Sequence, residues 1–207
     1  SDVATFGVSV RTTVNYQSVP SNGFLVLLPV DSVVFSAGAS AYTITGNDVS
    51  GIIIEGTGVT NNSGVMQNFV APLASVALNA QGAIFFENSA TAGNNLVTYT
   101  MNPGVPGTSA AAYAEFFNSA TAGSANFVNN GGSSANASGG LSFFANTTAA
   151  GSATFNNNGI TASGAFSAGG TQFTASSVGG TATFNNNGAA VGGGGGGGAL
   201  NFGGTTD

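Results

Sequence analysis

The chain has 207 residues, with 34 Gly, 16 Phe and only 4% charged side chains, and it contains no Cys, His, Lys or Trp. A formal charge of −6, carried by seven acids against the lone cation Arg11, excludes the basic footprint that nucleic-acid binding needs and disfavours anionic membrane surfaces. The missing residue types exclude disulfides, His- and Cys-based nucleophilic catalysis, typical zinc and thiolate iron sites and a Walker loop.

The first 82 residues read as short, unequal strands. Candidates are "ATFGVSV" (4–10), "GFLVLLPV" (23–30), "VVFSAG" (33–38), "SAYTITG" (40–46) and "SGIIIEG" (50–56). The most apolar run, "FLVLLPV" at 24–30, is far short of the ~20 residues of a membrane-spanning helix and reads as a buried strand. Ile52, Ile53 and Ile54 favour a strand by β-propensity. Residues 1–82 are therefore expected to be irregular rungs or a capping β region, with a small separate β domain as the alternative.

Residues 83–190 are repetitive. Gly123, Gly151 and Gly180 are separated by 28 and 29 residues, and Phe127, Phe155 and Phe184 keep the same spacing. A second marker precedes each unit: "FFENSATAG" (85–93), "FFNSATAG" (116–123), "FFANTTAAG" (143–151) and "QFTASSVGG" (172–180). Around Phe155 the residues alternate, so Ala153, Phe155 and Asn157 share one face. Phe155, Phe166, Phe173 and Phe184 each centre such a run, which predicts three short strands and three tight corners per unit. A sandwich has no reason to repeat at this period, whereas a solenoid places equivalent residues one above another, about 4.8 Å apart. The fold expected is all-β: a right-handed parallel β-helix with 28–29 residues per rung. Phe127, Phe155 and Phe184 are expected to form an internal stack, and Asn129, Asn157 and Asn186 an amide ladder. A second ladder is expected at Asn130, Asn158 and Asn187, with the Asn runs shaping corners.

Residues 191–207 include seven consecutive glycines, 192–198, and read as a Gly-rich loop or tail because poly-Gly loses the most entropy on ordering. "ALNFGG" at 199–204 would make the glycines a loop inserted before a further rung.

Chemistry has few candidates. The acids are Asp2, Asp31, Asp48, Glu55, Glu87, Glu115 and Asp207. Glu87 and Glu115 are 28 apart, close to one turn. Alignment of Gly93 with Gly123 nonetheless matches Glu115 to Phe85 and leaves the acids two positions out of register. Diagonal neighbours in a sheet lie about 7–8 Å apart, a separation that fits an inverting glycosidase pair. Tyr99 and Tyr113 are candidate sugar-stacking rings. No cofactor or metal site is expected: the acid-bearing nonapeptide of calcium-binding solenoids does not occur. The sequons at Asn61, Asn136 and Asn146 read as chance products of an Asn/Ser/Thr-rich repeat.

The stretch "SAYTITGNDVSGIIIEGTGVTNNSGVMQNFVAP" (40–72) and the units "FFNSATAGSANFVNNGG" and "FFANTTAAGSATFNNNG" resemble bacterial autotransporter-like passenger domains and related secreted repeat β-helix proteins. The resemblance covers about 40–188. It implies a β-helix displayed outside a Gram-negative cell, associated with the outer membrane as part of a longer protein, in adhesion, aggregation or biofilm. No catalytic motif of such proteins maps onto this chain. The function expected is an extracellular structural or adhesive module whose partners are itself or surface and matrix glycans. The alternative is a polysaccharide-binding or polysaccharide-degrading β-helix using Glu87 and Glu115.

Overall fold

The computed structural model describes residues 2–16, 26–46, 50–71, 82–107, 110–190 and 196–203. These residues form fifteen strands and no helix. They run as β1 (Val3–Phe6), β2 (Thr13–Tyr16), β3 (Val26–Phe35), β4 (Thr43–Gly46), β5 (Ser50–Asn61), β6 (Gln67–Ala71), β7 (Ala83–Phe86), β8 (Val97–Met101), β9 (Tyr113–Phe116), β10 (Asn126–Asn129), β11 (Leu141–Phe144), β12 (Thr154–Asn157), β13 (Gly170–Thr174), β14 (Thr183–Asn186) and β15 (Ala199–Gly203). Odd strands build one eight-stranded sheet in chain order and even strands a seven-stranded sheet. All strand pairs are parallel. The chain is a β-solenoid in which each turn adds one strand to each sheet.

The repeat spacing sets the register. Phe127 lies beside Phe155, which lies beside Phe184. Their rings stack at 4.8 and 5.2 Å between centroids, close to the strand separation itself. Tyr99 and Phe69 extend this column towards the N-terminus, each step 5.0 Å. A second column rises from the other sheet: Phe86, Phe116, Phe144, Phe173 and Phe202, at 4.7, 4.4, 4.7 and 4.9 Å. The columns meet edge to face, as between Phe116 and Phe127 at 5.8 Å, the geometry aromatic quadrupoles favour. Ala125 and Ala153, fully buried beside the rings, leave them room.

Each turn contains two strands rather than three. From β7 onward the third side of the turn is a single bridging residue, in the parallel row Gly58–Thr91–Thr121–Ala149–Val178, whereas earlier β3 and β5 run on past a register shift and pair there over Ser32–Phe35 and Gly58–Asn61. The run around Phe166 is not a strand, and Phe166 is 74% exposed. Its backbone N–H bonds Ala137 O in the turn before (2.9 Å), so no ring lies at the neighbouring position to receive it. The segment around it stacks on the preceding turn by further backbone bonds, Gly132 N to Ser167 O (3.0 Å) and Asn136 N to Gly164 O (2.7 Å).

Among the first 82 residues, β5 pairs with β7 as the next strand of the same sheet. Ala199–Gly203 likewise pairs with β13, setting Phe202 beside Phe173. Within the glycine run only Gly196–Gly198 lie among the described residues.

The corners differ from the sequence expectation. Asn129, Asn157 and Asn186 close strands β10, β12 and β14 and are not in left-handed conformation. Three of the four left-handed asparagines among the described residues belong instead to the Phe-Phe marker: Asn88, Asn118 and Asn146, with φ of 57°, 58° and 59°, the fourth being Asn136 at 59°. Asn tolerates this region because its short side chain bonds locally. The marker glycines Gly123 and Gly151 also have φ of 64°, and a Cβ there would collide with the carbonyl oxygen of the equivalent glycine one turn earlier.

In the fourth marker copy the Asn position is held by Ala175, at φ 53°. Alanine has no side chain to offset a left-handed backbone. Ala175→Asn is therefore expected to stabilise the fold by about 1 kcal/mol, read as a higher midpoint in thermal denaturation. An unchanged or lower midpoint would show that this corner is not strained.

Candidate functional site

Two amide ladders run along the axis. The first is internal. Asn129 donates to Asn157 Oδ1 (2.8 Å), and Asn157 donates to Asn186 Oδ1 (2.9 Å). Ser142 and Thr171, facing them from the other sheet, donate to Asn129 and Asn157, each at 2.9 Å. Asn129 and Asn157 have no exposure, so each amide depends on the next turn for its partner. The second ladder borders the outside: Asn158 donates to Asn130 (3.0 Å) and Asn187 to Asn158 (2.8 Å). It continues to Asn102, which accepts from Asn130 at 3.4 Å. With Gly131, Gly159 and Thr161 it lines a groove of about 550 Å³. Every amide in it is already engaged with its neighbour, which marks the row as a stacking device.

The acids divide into separate places. Asp2, Asp31 and Glu55 border a small recess of about 210 Å³ with Pro29 and Val30. Asp48 and Asp207 lie outside the described residues. Glu115 stands on the outer face of β9, directly beside Phe85 of β7 and Phe143 of β11. Glu87 follows β7 immediately, two positions beyond Phe85, so the two acids are diagonal rather than paired.

Glu115 sits among aromatic rings. Phe85 and Phe143 flank it on the neighbouring strands. Tyr113 and Phe117 lie two residues either way along its own strand direction, and alternation puts them on the same face. Phe85 meets Tyr113 edge to face at 5.5 Å and Phe117 stacked at 6.3 Å. Half-burial raises the Glu115 carboxyl above its usual range, and the negative charge of Glu87 pushes it the same way. The Tyr113 hydroxyl is pushed up to about 12 by burial and then by Glu115. No hydrogen bond or ion pair reaches the Glu115 carboxylate among the described residues. With Tyr113, Leu141, Phe143 and Gly170, Glu115 lines a groove of about 540 Å³.

Tyr99 is not available to a ligand. It is fully buried in the core, and its hydroxyl donates to Ala92 O at 2.8 Å. Asn61, the first sequon, is also buried, its amide nitrogen donating to Val65 O and Leu96 O at 2.9 Å each. Of the aromatic surround of Glu115, the sequence places Phe85 by alignment and offers Tyr113 as a candidate ring, but not Phe143 or Phe117. The signal for the surround lies in the repeat: one turn on from Glu115 is Phe143, one turn back is Phe85, and strand alternation supplies the other two rings.

Asn157→Ala is expected to cost about 1–3 kcal/mol, because Asn129, Asn186 and Thr171 all lose a partner. Asn185→Ala, at an exposed amide bonded to Asn156, should stay within about 0.5 kcal/mol. Urea denaturation of both variants measures the difference, and equal costs would mean that the internal ladder contributes nothing special. Glu115 keeps its proton to higher pH when folded than when unfolded, so its contribution weakens stability as pH rises through that interval. Glu115→Gln should therefore raise the melting temperature at pH 7 and leave it nearly unchanged at pH 3. Glu87→Gln should lower the Glu115 pKa in an NMR titration while leaving the part caused by burial.

No family matches the chain, and neither the curated proteins nor the solved structures provide a match.

Proposed function

We propose that this chain is a structural and adhesive module of the cell exterior, a stiff spacer and display scaffold acting within a longer autotransporter-like protein at the bacterial surface. The observation that carries the reading is the continuity of the two ring columns, from Phe86 to Phe202 and from Phe69 to Phe184. Within each column every ring but the terminal ones is packed between one above and one below, which favours a stiff core. Outside it, uncharged rows repeat turn by turn, such as Asn126, Thr154 and Thr183 on one sheet. A surface of stacked hydroxyls and amides with no charge from Phe116 to Thr206 offers little repulsion to glycans or to another copy.

A second reading is favoured by Glu115. A half-buried carboxyl with a raised pKa, diagonal to another acid, has the character of a general acid in an inverting glycosidase.

Display of the chain on non-adherent bacteria, scored for aggregation and paired with a glycan array, tests both readings. The scaffold reading expects aggregation or glycan retention without turnover, unaffected by Glu115→Gln. Release of reducing ends from acidic polysaccharides, abolished in Glu115→Gln, would sink it in favour of the enzyme.

A further inference from the structure

We propose that the groove around Glu115 binds an organic ammonium group, with the Glu115 carboxylate as counter-charge and the rings of Tyr113 and Phe143 as its aromatic walls. Three observations lead there. First, Glu115 is placed between Phe85 and Phe143 across the sheet and between Tyr113 and Phe117 along its own strand. Aromatic faces carry negative electrostatic potential and attract a cation, and the rings of Tyr113 and Phe143 line the same groove as Glu115. Second, that carboxylate has no hydrogen-bond or ionic partner among the described residues. The only cationic side chain of the whole sequence is Arg11, on the segment between β1 and β2, with β3, β5 and β7 separating β1 from β9 in the sheet. No cationic side chain among the described residues therefore competes with a ligand cation at Glu115.

Third, the groove has space for a body attached to that cation. Tyr113 is paired with Leu141, but the next two turns carry Gly170 and Ala199 at the same position. The outer face therefore drops from large side chains to a bare floor beside Leu141. A Cβ built on Gly170 would meet Leu141 Cδ1 at 3.6 Å and Ala199 Cβ at 3.7 Å, ordinary contact distances. Gly170 leaves open a space that backbone geometry does not require to be empty. The ligand class is thus an ammonium, primary or methylated, on a short apolar stem. A purely apolar guest would desolvate Glu115 further without compensation. A neutral sugar would satisfy the carboxylate but leave its charge and that of Glu87 unopposed.

The experiment titrates choline, and separately its uncharged isostere 3,3-dimethylbutan-1-ol, into the whole chain and follows NMR shifts at Glu115, Tyr113 and Phe143. Saturable shifts at these residues are expected for choline, with affinity at least about tenfold better than for the alcohol. Glu115→Gln should erase that preference. Gly170→Val, which fills the floor with a residue suited to a strand, should weaken choline binding while leaving the melting temperature near that of the parent. Because Gly170→Val leaves the carboxylate in place, it serves as an independent arm should Glu115→Gln perturb folding. Equal response to both probes, shifts centred elsewhere, or no saturation at tens of millimolar would each overturn the proposal.

Discussion

Everything in this molecule depends on one coincidence of lengths. Parallel strands stack about 4.8 Å apart, and offset aromatic rings pack at nearly the same separation. A chain that returns a phenylalanine to the same position after each turn therefore satisfies backbone hydrogen bonding and ring packing with a single translation. The tightest step, Phe116 to Phe144 at 4.4 Å with planes 3° apart, shows both requirements met together. The spacing tolerates variation in loop length, since the turns differ by a residue or more, provided the excess is absorbed outside the strands.

Rings alone would not fix the register. A slip by one residue turns every side chain to the opposite face, but a slip by a whole turn would again place ring on ring. The interior gives different turns different identities. At the Asn129 position earlier turns carry Ala71 and Met101, and later ones carry Asn157 and Asn186. At the facing position Ile84 and Ala114 give way to Ser142 and Thr171. The core thus changes from apolar to hydrogen-bonded along its length. An amide whose donor faced Met101 instead of the next asparagine would lose its partner, at a cost of about 1–3 kcal/mol for each buried group left unsatisfied. The polar ladder therefore discriminates against misaligned turns, which the repeated phenylalanines cannot do.

This explains which features were legible in the sequence. The glycine and phenylalanine spacings encode stacking, so fold class and period could be read from them directly. The number of strands per turn could not. The run at Phe166 has the same local look as the run at Phe155, but a strand needs a partner, and the equivalent place one turn earlier is near Ala137. Local alternation around Phe166 carries no information about that neighbour. The corner assignment failed for a related reason. Asn is suited both to left-handed corners and to amide ladders, and composition does not distinguish Asn146 in the first role from Asn157 in the second. Only their relation to the strand ends does so.

Outward positions are under a weaker constraint, and the chain varies there. The column through Glu115 reads Ile53, Phe85, Glu115, Phe143 and Gln172, while the inward column beside it holds Phe86, Phe116, Phe144 and Phe173 in succession. An inward substitution interrupts a ring stack and is felt by both neighbouring turns. An outward one changes a single patch of surface. The scaffold can therefore accept a charged residue against aromatic neighbours with a local penalty only, the half-burial that raises the Glu115 pKa. Turn-by-turn independence on the outside, made possible by strict repetition on the inside, is what allows a repetitive rod to carry a site at one place along its length.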